Sequence, residues 1–205
     1  MFMKLYLMRH GETLFNTQGR VQGACDSPLT EKGIEQAKTV KDYFEKEHIK
    51  FDYAYSSTQE RATDTARLVS NLPIVQLKGL KEWNFGIFEA QPEMLLPKSN
   101  PEADSFEDLL VPYGGESVDQ VSKRVKKTIQ DELKDLDCQN VLMVTHGGAM
   151  WALGLELNIP FPHRFHLGNC AIFEFELNHG ELTFLNLIEP YKNFETFSFS
   201  KGVES

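Results

Sequence analysis

Histidine and arginine side chains follow two short apolar runs of this sequence. Arg9 and His10 come directly after residues 5–8, and His146 comes directly after residues 141–145. Each run has the length and the apolar character of a buried parallel strand. Because ligands bind at the carboxyl ends of the strands in an open parallel sheet, these three side chains are predicted to meet at one rim.

Two further charged residues are predicted to reach the same rim. Arg61 begins a helical stretch after a strand candidate at residues 53–57, and Glu82 lies in the loop after another, at residues 73–77. Arginines and histidines gathered at one point repel one another unless an anion joins them, and an arginine fork matches phosphate oxygens. The sequence therefore predicts a site for a phosphoryl group, with the neutral imidazole of His10 as nucleophile.

Other interpretations of the same residues are less consistent with the pattern. A zinc site at His10, His146, Glu82 and Cys25 would place a fixed cation beside two arginines, which repel it. A single histidine at a strand end is more often structural, and a single arginine more often forms a surface ion pair. Their joint occurrence at four strand ends argues for function, and we expect no metal and no cofactor.

Four segments of the sequence occur in an order that resembles a known family. They are LMRHGET at residues 7–13 with Asn16 just after it, SSTQERATDTA at residues 56–66, EWNFG at residues 82–86 and THGG at residues 145–148. Together they resemble the histidine phosphatase superfamily, which includes the phosphoglycerate mutases. The similarity is specific because four spaced motifs agree.

The resemblance implies a mechanism and a role for each matching residue. His10 would become a transient phosphohistidine, while Arg9, Arg61 and His146 would hold the phosphoryl oxygens. Glu82 would protonate the leaving oxygen and then activate the hydrolytic water. Further contacts to the phosphoryl group are implied for four residues: Asn16, Gln22, Gly23 and Gly147.

Other titratable residues lie near these motifs or outside them. Glu12, Glu60 and Glu89 are alternatives to Glu82 as the acid, although Glu12 is expected to support the site through hydrogen bonds. The remaining histidines fall outside the motifs and are assigned surface or packing roles: His48, His163, His166 and His179.

Residues 91–115 favour hydrolysis over mutase activity. A mutase must hold a doubly anionic phosphoglycerate, which calls for extra lysine or arginine over the site. This lid-like excursion has one basic residue, Lys98, against five acidic ones: Glu93, Glu102, Asp104, Glu107 and Asp108. Its apolar residues predict a substrate with a hydrophobic or neutral leaving group. We therefore expect a phosphomonoesterase of the histidine acid phosphatase type; a cofactor-dependent phosphoglycerate mutase is the alternative, ahead of a non-catalytic phosphate-binding module.

The length and the element pattern predict one α/β domain. The chain has 205 residues, of which 41% are hydrophobic and 25% charged, as in soluble globular domains. Helices are predicted after the caps Thr30 and Ser117, from about Gln59 towards Leu72, and from about Ala149. Residues 26–30 are interpreted as a turn into the first cap, and their position beside Gln22 and Gly23 leaves a minor substrate role open. Residues 171–177 and 182–188 are interpreted as a hairpin. These elements predict a three-layer α/β/α fold with a mostly parallel sheet. The resemblance to the histidine phosphatase superfamily implies that this fold is phosphoglycerate mutase-like.

Composition also restricts the partners. The net charge of −9 argues against nucleic acid, and the N-terminal apolar stretch is too short for a signal peptide or a membrane span. Cys25, Cys138 and Cys170 form no close pair, which fits a reducing compartment. We expect a cytoplasmic protein with a small phosphorylated substrate; the sequence leaves open a homodimer through the edge of the hairpin.

Overall fold

A mixed β-sheet lies at the centre of the chain in the computed structural model, which describes residues 3–98, 105–161, 166–178, 180–190 and 194–198. Seven strands make up the sheet in this part of the chain: β1 (Met3–Arg9), β2 (Tyr53–Ser57), β3 (Ile74–Leu77), β4 (Asn140–Thr145), β5 (Ile172–Asn178), β6 (Glu181–Glu189) and β7 (Glu195–Phe197). Their order across the sheet is β3-β2-β4-β1-β5-β6-β7.

Four of these strands form a parallel core, as the sequence predicts. β1 pairs with β4, β4 with β2, and β2 with β3, all in parallel. Arg9 at the end of β1 lies opposite Thr145 at the end of β4. The residues that follow, His10 and His146, therefore leave the sheet side by side.

The other side of the sheet is antiparallel. β5 pairs with both β1 and β6, which confirms the predicted hairpin. β7 pairs with residues 187–189 of β6 and has no counterpart in the predicted elements. Its three residues are too few to show a periodic pattern in the sequence.

Helices connect the strands, and two of them begin at the predicted caps. The helices are α1 (Leu14–Gln18), α2 (Glu31–Lys46), α3 (Glu60–Val69), α4 (Val118–Leu133) and α5 (Gly147–Glu156). The hydroxyls of Thr30 and Ser117 accept backbone amides at the starts of α2 and α4. α3 ends before the predicted Leu72, because Ser70 is already extended and Pro73 follows. No helix in the described residues is long and apolar enough to cross a membrane.

Alternate residues of the central strands enter two cores on opposite faces of the sheet. Leu5 and Leu7 pack with residues of α4 and α5, whereas Tyr6 and Met8 pack with residues of α2 and α3. Successive side chains of a strand point to opposite faces, so a strand buried on both faces is apolar throughout. The chain therefore has the predicted three-layer α/β/α architecture.

The segment that follows Phe85 leaves the sheet and contains short 3-10 turns at Gly86–Phe88, Glu93–Leu95 and Val111–Tyr113. Three backbone hydrogen bonds attach it to the loop after α1, one of them from the amide of Ala90 to the carbonyl of Val21 over 3.0 Å. The amide of Val21 donates to the carbonyl of Gln91 over 2.8 Å, and the amide of Glu93 donates to the carbonyl of Gly19 over 2.8 Å. Several residues named in the sequence analysis lie outside the described residues: Glu102, Asp104, His163 and His179.

Candidate active site

His10 stands at the end of β1 and is buried. Its Nδ1 lies 2.7 Å from the carbonyl oxygen of Gly11, so Nδ1–H donates there and Nε2 keeps its lone pair. Burial lowers the pKa of His10 well below its ordinary value, and the charges of Arg61 and Arg9 lower it further. The side chain is thus a neutral imidazole at neutral pH, which is the nucleophilic form.

Gly11 allows the close packing that holds this histidine. A Cβ atom on Gly11 would lie 2.5 Å from the carbonyl oxygen of Gly33, in the first turn of α2. The amide of Gly11 also donates to the hydroxyl of Thr65 on α3 over 3.1 Å. The backbone next to His10 is therefore fixed by two helices.

His146 lies directly before α5, beside His10. The two ring centroids are 5.2 Å apart, and the planes meet at 59°. Burial lowers the pKa of His146 well below its ordinary value, with Arg61 the next cause. Neither ring nitrogen has a hydrogen-bond partner in the described part of the chain.

Arg61 is fully buried at the start of α3, and its two terminal nitrogens face the loop of residues 22–26. Nη1 donates to the carbonyl of Cys25 over 2.9 Å and to the carboxylate of Asp26 over 2.8 Å. Nη2 donates to the carbonyl of Gly23 over 3.1 Å. Nε is buried and has no partner among the described residues, so it is the donor left for a ligand.

Unpaired donors gather around His10. The Gln22 amide oxygen accepts the hydroxyl of Thr13 over 2.6 Å, while its Nε2 is buried without a partner in the described structure. This nitrogen joins Nε of Arg61 and the ring of His146. Buried donors left without partners cost about 1–3 kcal/mol each, so this arrangement suits an anionic ligand.

A cavity of about 460 Å³ is lined by His10 and Gln22. Six of the predicted site residues line it: Arg9, His10, Asn16, Gln22, Glu82 and Gly147. Three other predicted site residues are buried and are not among the lining residues of the described structure: Arg61, His146 and Gly23. Nη1 of Arg9 donates to the carbonyl of Leu167, which directs the guanidinium along the cavity wall.

Glu82 is the acid candidate that faces the cavity. Its carboxylate accepts the amides of Trp83, Gly148 and Ala149 over 2.7, 2.9 and 2.8 Å. The last two belong to the first turn of α5. The orientation of Glu82 relative to His146 is thereby set by one helix.

The alternative acids lie elsewhere. Glu12 forms an ion pair with Lys32 over 2.7 Å and accepts the hydroxyl of Thr30, which supports the predicted structural role. Glu60 is exposed, and Glu89 accepts backbone amides. None of the three lines the cavity in the described part of the chain.

Sequence reasoning missed several residues that hold the site. Asp26, interpreted as part of a turn with a minor substrate role left open, pairs with Arg61. Arg124 of α4 donates to the backbone carbonyls of Lys81 and Glu82 over 2.6 and 2.8 Å and pairs with Glu116 over 2.7 Å. These contacts join segments far apart in the chain, and no local spacing indicates them.

Apolar side chains form much of the rest of the cavity wall. Its lining residues are Val21, Trp83, Phe85, Leu96, Phe106, Trp151 and Leu167, with Arg20, Glu93, Ser105 and His166 as polar members. His166 was assigned no chemistry from the sequence, yet it lies on this wall. Burial and then the charge of Arg9 lower its pKa.

The family comparison agrees with this geometry. The model of the histidine phosphatase superfamily (branch 1) matches residues 5–189. The chain belongs to the histidine phosphatase superfamily. Membership confirms the resemblance of the four motifs and makes the chain an enzyme of phosphatase or mutase type.

Named relatives of this histidine phosphatase include both activities. A metal-independent phosphoserine phosphatase of Arabidopsis thaliana is 33% identical over 75% of this chain and 68% of its own length. An adenosylcobalamin/alpha-ribazole phosphatase of Salmonella typhimurium is 38% identical over 72% of this chain and 76% of its own. The crystal structure of a phosphoglycerate mutase from Bacillus anthracis superposes with a TM-score of 0.77 and 32% identity, covering 89% of this chain and 91% of that one.

No cluster of three or more histidine, cysteine, aspartate or glutamate side chains in the described residues could hold a metal ion. The zinc alternative therefore gains no support from this part of the histidine phosphatase fold. The cysteines that the structure describes are free.

Proposed function

We propose that this histidine phosphatase is a phosphomonoesterase that hydrolyses small phosphate esters through a phosphohistidine on His10. The observation that carries the proposal is the set of buried, unpaired donors beside a neutral His10. A phosphoryl group supplies the oxygens that Arg61 Nε, Gln22 Nε2 and His146 lack. The same group gives Nε2 of His10 an electrophile.

The reaction has two steps. In the first, Nε2 of His10 attacks phosphorus, the bond from phosphorus to the ester oxygen breaks, and Glu82 gives that oxygen a proton. In the second, Glu82 takes a proton from water, whose oxygen attacks phosphorus as the bond to Nε2 breaks. Phosphate leaves, and both residues return to their initial forms.

Three neighbouring side chains stabilise the transition state. The guanidinium of Arg9 and the buried Nε of Arg61 offset the charge that spreads over the phosphoryl oxygens. A bound anion raises the pKa of His146, and the protonated ring then donates a hydrogen bond to a phosphoryl oxygen. Asn16, Gly23 and Gly147 remain proposed contacts; the amide of Gly23 is given to Glu89 in this structure.

The lid-like excursion favours hydrolysis over transfer to a second hydroxyl. Its described residues bring Glu93, Leu96, Ser105 and Phe106 to the cavity, and none of these is a cation. A doubly anionic phosphoglycerate would meet Glu93 instead of a lysine. Arg20 is a cation of the lining, but one of its nitrogens donates to the carbonyl of Ala90 over 2.8 Å. A cofactor-dependent mutase is thus the second candidate.

The aromatic wall indicates the leaving group. Trp83, Phe85 and Phe106 form mutual ring contacts with centroids 6.0 to 6.4 Å apart. Faces and edges of this kind accept neutral or aromatic groups. Relatives act on phosphoserine and on alpha-ribazole phosphate by name, and of these the second, a phosphorylated ribazole, matches an apolar wall better.

Hydrolysis of p-nitrophenyl phosphate tests the proposal. We expect turnover by the wild type, loss of at least about a thousandfold in His10→Ala, and no loss in His48→Asn, an exposed histidine outside the site. Acid-labile, base-stable phosphate should be trapped on the wild type after a rapid quench and be absent from His10→Ala. Equal, negligible rates in both proteins would favour a phosphate-binding module, and faster interconversion of 3- and 2-phosphoglycerate than hydrolysis would favour a mutase.

Two predictions concern the setting of the enzyme. We propose a cytoplasmic location, supported by the free thiols of Cys25, Cys138 and Cys170. A homodimer through the edge of the hairpin stays a prediction, with β7 covering only residues 187–189 of β6.

A further inference from the structure

The loop of residues 22–26 is held from two sides by opposite charges. Its carbonyl oxygens face Arg61: Nη2 donates to Gln22 and Gly23 over 3.4 and 3.1 Å, and Nη1 to Cys25 over 2.9 Å. Its amide groups face Glu89 instead. The loop therefore lies between a buried cation and a carboxylate.

Glu89 accepts four backbone amides. Its Oε2 accepts those of Gly23 and Cys25 over 3.1 and 2.9 Å. Its Oε1 accepts those of Ala24 and Phe85 over 2.7 and 2.9 Å. Three consecutive amides directed at one anion form a backbone nest, and the fourth comes from the loop that carries Glu82.

Two peptide units are bound at both ends. The unit joining Gln22 to Gly23 donates its N–H to Glu89, while its carbonyl accepts from Arg61. The unit joining Gly23 to Ala24 does the same. In a trans peptide the N–H and C=O point in opposite directions, so these dipoles lie head to tail between the anion and the cation.

We propose that Glu89 is a positioning residue for phosphoryl transfer, which orients Arg61 through these peptide units and the Glu82 loop through Phe85. This inference rests on the proposed function. By holding the loop, Glu89 holds the carbonyls that engage both terminal nitrogens of Arg61. The guanidinium then has one orientation, with Nε as the donor left for the phosphoryl group.

The packing leaves the loop little freedom to move away from Glu89. A Cβ on Gly23 would lie 2.4 Å from Oε1 of Glu89 and 2.2 Å from the carbonyl oxygen of Trp83. The side chain of Gln59 ties the same two loops together, donating to the carbonyl of Gly23 and accepting the amide of Glu82 over 2.8 Å. Glu89 and Gln59 thus align the loop of residues 22–26 with the loop that carries Glu82.

The nearby thiol does not compete for the nest. Burial and a hydrogen bond with Glu89 raise the pKa of Cys25 to about 11, so its side chain stays neutral at physiological pH. Glu89 is the carboxylate to which the three consecutive amides of residues 23–25 donate.

The first variant is Glu89→Gln, which has the same size but presents an NH₂ group to two of the amide donors. The matched control is Asp52→Asn, since Asp52 also accepts two backbone amides, those of Gln139 and Asn140, at the start of β4 and away from the site. We expect kcat/KM for p-nitrophenyl phosphate to fall about tenfold or more in Glu89→Gln and to stay within about twofold of wild type in Asp52→Asn. Equal losses in both would overturn the proposal.

A double-mutant cycle separates positioning from general stability. If Glu89 acts through Arg61, the double variant should have a kcat/KM less than about threefold below that of Arg61→Lys alone. The reason is that Arg61→Lys has already lost the oriented guanidinium. Full multiplication of the two losses would contradict the inference. A merely structural carboxylate predicts that multiplication.

The pH profile is a further readout. His10 is faced by Arg9, by Arg61 from α3, by His146 and by Glu82 across the cavity. Because the charge of Arg61 lowers the pKa of His10, a displaced Arg61 should move the acid limb of kcat/KM to higher pH in Glu89→Gln. An unmoved limb would contradict an effect through Arg61.

Binding of inorganic phosphate distinguishes failure of this inference from failure of the proposed function. Calorimetry should give an affinity about tenfold weaker in Glu89→Gln than in wild type or Asp52→Asn, whether or not esters are hydrolysed. If the wild type hydrolyses no ester, the proposed function fails and phosphate affinity still decides the role of Glu89. If Glu89→Gln does not fold, Glu89→Asp carries the test, with an intermediate loss expected; wild-type affinity and kcat/KM in Glu89→Asp would overturn the proposal.

Discussion

The ring centroids of His10 and His146 lie 5.2 Å apart in the buried end of the site. Two imidazolium ions at this distance would repel each other strongly in a low-dielectric interior. The structure avoids this because burial, followed by the charge of Arg61, lowers the pKa of both rings. Both rings are therefore neutral in the unliganded protein, which suits the proposed roles of His10 as nucleophile and of His146 as a donor that acts once it is protonated.

The paired histidines should make stability depend on pH. Since both pKa values are lower in the folded than in the unfolded protein, the unfolded chain binds more protons below about pH 6.5. The free energy of unfolding should therefore fall as pH drops through that value, by up to about 1.4 kcal/mol per pH unit for each ring. Urea unfolding over this range should show a shallower slope in His146→Asn. The exposed control His48→Asn should keep the wild-type slope, and an unchanged slope in His146→Asn would contradict the argument.

The ion pair of Asp26 with Arg61 should matter for both stability and rate. Asp26→Asn removes the carboxylate 2.8 Å from a fully buried guanidinium. We expect a loss of about 1–3 kcal/mol in the free energy of unfolding, below the range for fully buried pairs because Asp26 is partly exposed and carbonyls still hold Arg61. The kcat/KM for phosphate esters should fall about tenfold or more. Asp64→Asn, which breaks an exposed pair with Arg67, is the control and should change neither quantity measurably.

Arg124 should affect substrates with poor leaving groups more than those with good ones. Its side chain holds the backbone of Lys81 and Glu82, and lysine cannot reproduce the same set of directed donors. Arg124→Lys should therefore disturb proton donation by Glu82, which alkyl phosphates need and p-nitrophenyl phosphate needs little.

The measurement is the ratio of kcat/KM for the alkyl and aryl esters. We expect the ratio to fall about tenfold in Arg124→Lys. Lys123→Gln, on the exposed face of the same helix, should keep the wild-type ratio. Equal losses for both esters in Arg124→Lys would show that the contacts do not act through the acid.

Phe106 should select for apolar leaving groups. It lines the cavity and makes edge contacts with Trp83 and Phe85. Phe106→Ala should raise KM for aryl phosphates about tenfold, or ~1.4 kcal/mol, with little change for glycerol phosphate. The control is Ile87→Ala, an exposed residue of the same segment that does not line the described cavity. Equal changes in KM for both substrates in Phe106→Ala would remove the case for an apolar leaving-group wall.

Local signals explain why much of the fold could be predicted. Thr30 and Ser117 are predictable as caps because their hydroxyls bond amides within the next three residues. The central strands are predictable because strands buried on both faces are apolar throughout. β7 and the end of α3 are not predictable in this way, since β7 is three residues long and the end of α3 depends on where the chain turns.

The motifs by themselves determined the family and the parallel rim at which Arg9, His10 and His146 meet. The position of each of these residues directly after a strand is visible in the sequence, and adjacent parallel strands end at the same edge of the sheet. Only the tertiary structure decided which carboxylate faces the cavity, and that the terminal nitrogens of Arg61 are held by Asp26 and the loop of residues 22–26. These outcomes depend on the directions of hydrogen bonds between segments distant in the chain, and such directions exist only once the helices and loops have packed.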